Sequence, residues 1–108
     1  MALSIILRLA ANFFAGLFLC NSIPHLVSGL CGQAFPSPFA SPPGRGLSSP
    51  VVNFIWGFFN LAVAMALLCI YRLEISINTG MALFLIAFLL IGLLLSAHFG
   101  KVRAGGGS

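Results

Sequence analysis

The sequence predicts an all-α integral membrane protein with three transmembrane helices. Of its 108 residues, 60% are hydrophobic and 6% are charged, whereas a soluble domain averages about 25% charged residues. The charged residues leave uncharged stretches of 36, 26 and 26 residues, and they are Arg8, Arg45, Arg72, Glu74, Lys101 and Arg103. Each stretch can hold one span of about 20 apolar residues. Because lipid offers no partner to backbone groups, the spans should be helices.

The first helix is predicted from about Ala2 to Ile23. Pro24 should bend or end it, so the following run to Gly32 is either a kinked extension or a separate short interfacial helix. The apolar run after Arg8 resembles an export signal in outline. No small-residue cleavage site follows, and the run contains Asn12, so we expect the helix to be retained.

The second and third helices are predicted over Pro50–Tyr71 and Thr79–Gly100. Ser49 followed by Pro50 is typical of a helix start, and Asn78 can cap the third helix similarly. The short turn 72–78 makes these helices an antiparallel hairpin. Residues 1–104 then form a single membrane domain, and residues 105–108 resemble a flexible linker.

The segment between the first two helices, loop 32–49, has an unusual composition for a tether. The run 33–50 contains five of the six prolines, which stiffen it, together with Phe35 and Phe39, which favour burial. Long loops in compact domains are usually functional or disordered. We expect an ordered Pro/Phe/Gly-rich lid over the helix ends; the alternative is a Pro-rich strap along the membrane interface.

Alternating helix directions place most polar residues on one membrane face. We call the face at the start of the first helix side A and the opposite face side B. The candidate residues for binding a ligand or anion all fall on side B, and they are Asn21, His25, Gln33, Arg45, Asn53, Trp56 and His98. Side A carries two basic residues and side B three, so the positive-inside rule assigns no orientation.

Two kinds of site are conceivable on side B. Gly44-Arg45-Gly46 could form an anion nest near the start of the second helix, with a lipid phosphate as the favoured occupant. His25 and His98 could together ligate haem, a pigment or a metal; alternatively, each forms hydrogen bonds at the interface. The cysteines lack metal-ligand spacing, so no metal site is assigned, and the cofactor stays unknown, with bound lipid favoured.

Helix packing is predicted from small residues and buried amides. Gly92, Ser96 and Gly100 recur at four-residue spacing, which lets membrane helices approach closely. Asn12 and Asn60 are the deepest amides. If the first helix ends near Ile23, they lie at similar depth and should form a hydrogen bond.

The composition points away from catalysis, since the one acidic residue lies on side A, far from both histidines. We therefore expect a non-enzymatic subunit that packs laterally in a larger membrane complex or homo-oligomer. Its partners would be lipids and other membrane subunits or copies of itself, and not nucleic acid. The alternative is a protein that binds or transports a small ligand, lipid or ion on side B. A pore-forming, holin-like protein is a weaker alternative.

Overall fold

The computed structural model describes residues 2–105 and is all-helical apart from one short strand pair. The elements are α1 (Ala2–Leu30), β1 (Phe35–Pro36), β2 (Leu47–Ser48), α2 (Pro50–Ile70) and α3 (Thr79–Ala104). All three helices are long and apolar enough to cross a membrane, by length and composition. The predicted all-α class with three membrane-length helices is therefore confirmed. The linker predicted at the C-terminus falls largely on residues 106–108, outside the described residues.

Helix α1 runs through Pro24 without ending and is 29 residues long, or about 43 Å. Proline removes only one helix hydrogen bond, and Ser22 and His25 on either side of it are both buried. The helix ends instead at Leu30, two residues before Gly32, whose φ is +70°. The N–H of Gln33 donates to the Ser28 carbonyl at 2.8 Å, which closes a glycine-type C-cap. The alternative of an extension past Pro24 thus describes α1, and the predicted end at Ile23 is wrong.

Side-chain caps explain where α2 and α3 begin, and basic residues favour the end of α3. The Ser49 hydroxyl accepts from the Val52 N–H, and the Asn78 amide oxygen accepts from the Met81 N–H. Helix α3 continues four residues beyond Gly100. The last turn of α3 contains basic residues, which favour a helix C-terminus because its carbonyl dipoles point there.

Helix α1 is central and packs against both α2 and α3. The close approaches occur at glycines: a Cβ on Gly16 would collide with the Phe84 carbonyl of α3. A Cβ on Gly57 of α2 would lie 2.7 Å from the Leu26 backbone nitrogen. The backbones can approach this closely only because these positions carry no side chain.

The predicted packing face on α3 is largely uncovered in the structure. A Cβ at Gly100 would meet nothing within 4 Å, and one at Gly92 would meet only the Cys20 sulfur, at 3.4 Å. Ser96 is exposed, and its hydroxyl donates to the Gly92 carbonyl of its own helix. Only the Gly92 end of this face therefore contacts α1, while Gly16, Gly29 and Gly57 provide closer helix contacts.

The predicted hydrogen bond between Asn12 and Asn60 is wrong. Asn60 accepts instead from the Asn21 amide at 3.0 Å. Asn12 is fully buried near Gly80, and its amide nitrogen and oxygen have no partner. The predicted depth of Asn12 assumed that α1 ends near Ile23, but α1 extends past Pro24. Asn21, nine residues after Asn12, therefore lies at the level of Asn60 and binds it.

The loop folds back on itself as a small antiparallel pair, with Phe35 opposite Ser48 and Pro36 opposite Leu47. The Ser37 and Ser48 hydroxyls lie 2.6 Å apart and share a hydrogen bond. The Gly44 N–H donates to the Ser37 carbonyl at 2.8 Å. These contacts hold the two arms of the loop together.

Candidate functional site

Asn53, one turn into α2, fastens the loop to the helices. Its side chain is completely buried. The amide nitrogen Nδ2 donates to the carbonyls of Phe35, Ser48 and Ser49 at 2.9, 3.2 and 3.1 Å. One side chain therefore holds β1, β2 and the residue that caps α2.

The same amide fixes the tautomer of His25. The three backbone carbonyl oxygens can only accept hydrogen bonds, so the Asn53 side-chain atom that faces them must be the donor Nδ2. The other side-chain atom of Asn53, Oδ1, is therefore an acceptor. His25 Nδ1 lies 2.7 Å from this Oδ1, so Nδ1 carries the proton and donates. In the neutral ring, Nε2 then keeps its lone pair.

His25 is 2% exposed and lies at the wall of a cavity of about 180 Å³ under the loop. We call it the His25 cavity; its lining residues are Asn21, His25, Pro36, Ser37, Pro38, Gly44, Trp56, Leu95, His98 and Phe99. The imidazole makes edge contacts with Phe35, Trp56 and Phe99, at centroid distances of 5.5, 6.5 and 6.3 Å. Within residues 2–105, Nε2 forms no hydrogen bond. The site thus presents one unpaired hydrogen-bond acceptor, Nε2 of His25, on a ring that contacts three aromatic side chains.

His98 has a different role from His25. Its Nε2 lies 2.6 Å from the Gly44 carbonyl, so here Nε2 carries the proton and fastens the loop to α3. Joint ligation of haem, a pigment or a metal through Nε2 of His98 would have to break this bond.

A second amide pair continues the polar network into α1 and α2. The Asn60 nitrogen donates to the Trp56 carbonyl at 2.8 Å, so its oxygen must be the atom that accepts from Asn21 Nδ2. The Asn21 oxygen Oδ1 is then left as an acceptor, and it makes no hydrogen bond to the part of the chain that is described. Asn21 and His25 thus give the His25 cavity two spare acceptors.

Trp56 lines the His25 cavity and also contacts the loop. Its ring meets the Phe39 ring edge-on at 5.2 Å. Its indole nitrogen is buried and has no hydrogen-bond partner among residues 2–105. Phe39 thus covers the indole on the loop side.

Three of the predicted candidates do not line the cavity, and of these only Asn53 contacts a lining residue through a side-chain hydrogen bond, to His25. The other two, Gln33 and Arg45, are exposed. The nest proposed around Arg45 does not form, because the N–H groups of Gly44, Arg45 and Gly46 already donate to loop carbonyls. The anion hypothesis therefore lacks its backbone donors.

Sequence reasoning missed the aromatic and glycine positions of the site. Phe99 follows His98 directly and touches both histidine rings, but nothing in an apolar run marks it. The sequence predicts a role for the N–H of Gly44, whereas its carbonyl is the atom that His98 binds. A larger open hollow of about 530 Å³ lies next to the His25 cavity, between the loop and the end of α3. It contains no unpaired buried polar group.

No protein-family model, curated protein or solved structure matches this chain. The functional argument therefore depends on the geometry of the site. That geometry is a small aromatic-walled cavity with a histidine acceptor held in one tautomer.

Proposed function

We propose that the chain is a multi-pass integral membrane protein that binds a small hydrogen-bond-donating ligand, or a lipid head group, in the His25 cavity. The observation that carries the proposal is the unpaired Nε2 of a nearly fully buried histidine. A ligand that donates to this acceptor gains a hydrogen bond, which contributes about 0.5–1.5 kcal/mol. Support also comes from Asn53, which holds the ring in the tautomer suited to such a donor.

The site favours binding over catalysis. The ring partner of His25 is a neutral amide, which orients the imidazole but cannot share a proton with it as a carboxylate would. The only acidic residue of the chain is Glu74, which lies in the turn between α2 and α3, at the opposite end from the loop. We therefore propose a non-enzymatic role for this site.

The test uses Trp56, the only tryptophan of the chain, as a reporter in phosphatidylcholine nanodiscs. The probes are glycerol, ethanolamine and acetate, each also supplied on an octyl chain. At least one donor-bearing probe should change the Trp56 emission saturably. His25→Asn should weaken its binding about tenfold, because loss of one hydrogen bond to a buried group costs about 1.4 kcal/mol.

His25→Asn is informative because its amide can reach the position of Nδ1 and keep the bond to Asn53 while removing Nε2. Leu94→Ala on α3 is the matched control, since Leu94 is 67% exposed and lies away from the cavity. If no probe gives a saturable response that depends on His25, the proposed function is wrong.

A second candidate function is the lateral subunit role, which the open face of α3 favours. Nothing lies within 4 Å of a Cβ position at Gly100, and the neighbouring α3 leucines are largely exposed, namely Leu89, Leu90, Leu93 and Leu94. Such a face suits a helix of another subunit or of a second copy.

The mass of the protein in mild detergent tests this second candidate. We expect a complex larger than the monomer that Gly100→Leu dissociates, with foreign subunits or identical copies identified by their masses. A monomeric mass in several mild detergents would contradict it without affecting the ligand proposal.

A further inference from the structure

We infer that the ligand of the His25 cavity is a neutral, hydroxyl-bearing membrane lipid whose chain lies between α2 and α3. The inference rests on the proposed function and names its ligand class. The structure contains a second void, a cleft of about 320 Å³ that we call the interhelical cleft. Its lining residues are Phe14, Leu17, Phe18, Asn21, Asn60 and Ile91.

The two voids meet at one residue. Asn21 lines both the His25 cavity and the interhelical cleft. From Asn21 the cleft follows α1 down to Phe14, seven residues deeper, which is about 10 Å along the helix axis. A molecule bound at His25 would therefore extend past Asn21 along this apolar cleft, which is open to the surrounding lipid at Phe14, a residue that is 48% exposed.

The cleft has the chemistry of a lipid-chain site with a polar end. Its floor on α1 is formed by Phe14, Leu17 and Phe18, and Ile91 of α3 forms one side. The amides of Asn21 and Asn60 bind each other at its side-B end. Hydrocarbon thus fits the deep part, and a polar group fits where Asn21 leads into the His25 cavity.

The His25 cavity, at the polar end of the site, favours a head group that donates hydrogen bonds and carries no charge. His25 Nε2 and Asn21 Oδ1 are both spare acceptors, so the head group must donate. No charged side chain lines the His25 cavity, and an ammonium would carry an unpaired charge into it. Hydroxyl groups donate without that cost.

The size of the cavity narrows the head group further. A volume of about 180 Å³ suits a small head group. Glycerol is small and carries hydroxyls that can donate to two acceptors. The ligand class is therefore an acylglycerol or a lipid with a similar small diol head group.

The test is photolabelling of the full chain in phosphatidylcholine vesicles with 1-monooleoylglycerol that carries a diazirine on its acyl chain. Labelled residues should cluster in the interhelical cleft, and unlabelled monooleoylglycerol should compete. At probe levels below saturation, His25→Asn should reduce this labelling by up to about tenfold. Leu17→Trp, which fills the cleft, should also abolish it, whereas Leu94→Trp on the outer face of α3 should not.

The outcomes separate this inference from the proposed function. Labelling spread evenly over lipid-facing residues, or unchanged by His25→Asn, overturns the inference. An oleylammonium probe that labels the cleft better than the glycerol probe overturns the neutral head group. If soluble glycerol still gives a His25-dependent Trp56 response while the cleft stays unlabelled, only the inference fails. If no probe responds, both fail.

Discussion

At the scale of single residues, Asn53 makes the most consequential contacts in the molecule. Its amide donates to three carbonyls and accepts from His25 Nδ1. It therefore couples the orientation of the imidazole to the position of the loop. A change at Asn53 should disturb the ligand site and the loop together.

Asn53→Ala should lower the free energy of unfolding by about 3 kcal/mol, because it leaves several buried groups unpaired. Unfolding in mixed detergent micelles measures this. Ile55→Ala, at a position 60% exposed, should cost far less. An equal effect of both substitutions would show that the Asn53 contacts contribute little.

Asn12 gives the opposite prediction, since neither polar atom of its amide has a partner. Asn12→Ala should leave the free energy of unfolding unchanged or raise it, because an unpaired amide gains nothing from burial. Asn60→Ala should instead cost about 1 kcal/mol through loss of the Asn21 bond. If Asn12→Ala is the more damaging of the two, Asn12 has a partner in the membrane and this arrangement of α1 and α3 is wrong.

At the scale of elements, the helices are held together where glycines let backbones touch. Gly57 lies against Leu26 and Ser22 of α1, whereas Gly100 faces open space. The same residue type thus has different roles on α2 and α3, which spacing alone does not distinguish.

Gly57→Ala should destabilise the chain by about 1–3 kcal/mol, because the new methyl group forces α1 and α2 apart. Gly100→Ala should be neutral or slightly stabilising, since alanine is the better helix former. Thermal unfolding of the two variants in one detergent makes the comparison. Equal tolerance of both substitutions would show that α1 and α2 do not pack this closely.

The loop is an element held at two points, by Asn53 and by the bond from His98 to the Gly44 carbonyl. Cleavage by trypsin at Arg45 should be slow in membrane-embedded protein, and His98→Leu should accelerate it about fivefold, as expected for loss of about 1 kcal/mol. Arg45→Gln provides the control for the cleavage site. Rapid cleavage of the wild-type loop at trace protease would argue against an ordered cap.

At the scale of the whole molecule, composition was enough to predict three membrane-length helices, because six charges leave room for three apolar spans. The end of α1 was not predictable from Pro24, since burial on both sides of the proline outweighs one lost hydrogen bond. The predicted end of α1 lies seven residues too early, so the predicted depth of every α1 side chain relative to α2 is wrong. For this reason the prediction pairs Asn60 with the wrong asparagine. The tautomer of His25 depends on carbonyls of residues far apart in the sequence, so no local pattern contains it.

The most direct test of the account is ¹⁵N NMR of the histidine rings in nanodiscs, at a pH where both are neutral. The account predicts opposite tautomers, because Asn53 accepts from Nδ1 of His25, whereas the Gly44 carbonyl accepts from Nε2 of His98. His25 should show a protonated Nδ1 and a bare Nε2, and His98 a protonated Nε2. His98→Leu assigns the two sets of signals. A protonated Nε2 on neutral His25 would contradict the account, because the cavity would then lack the acceptor on which the proposed function depends.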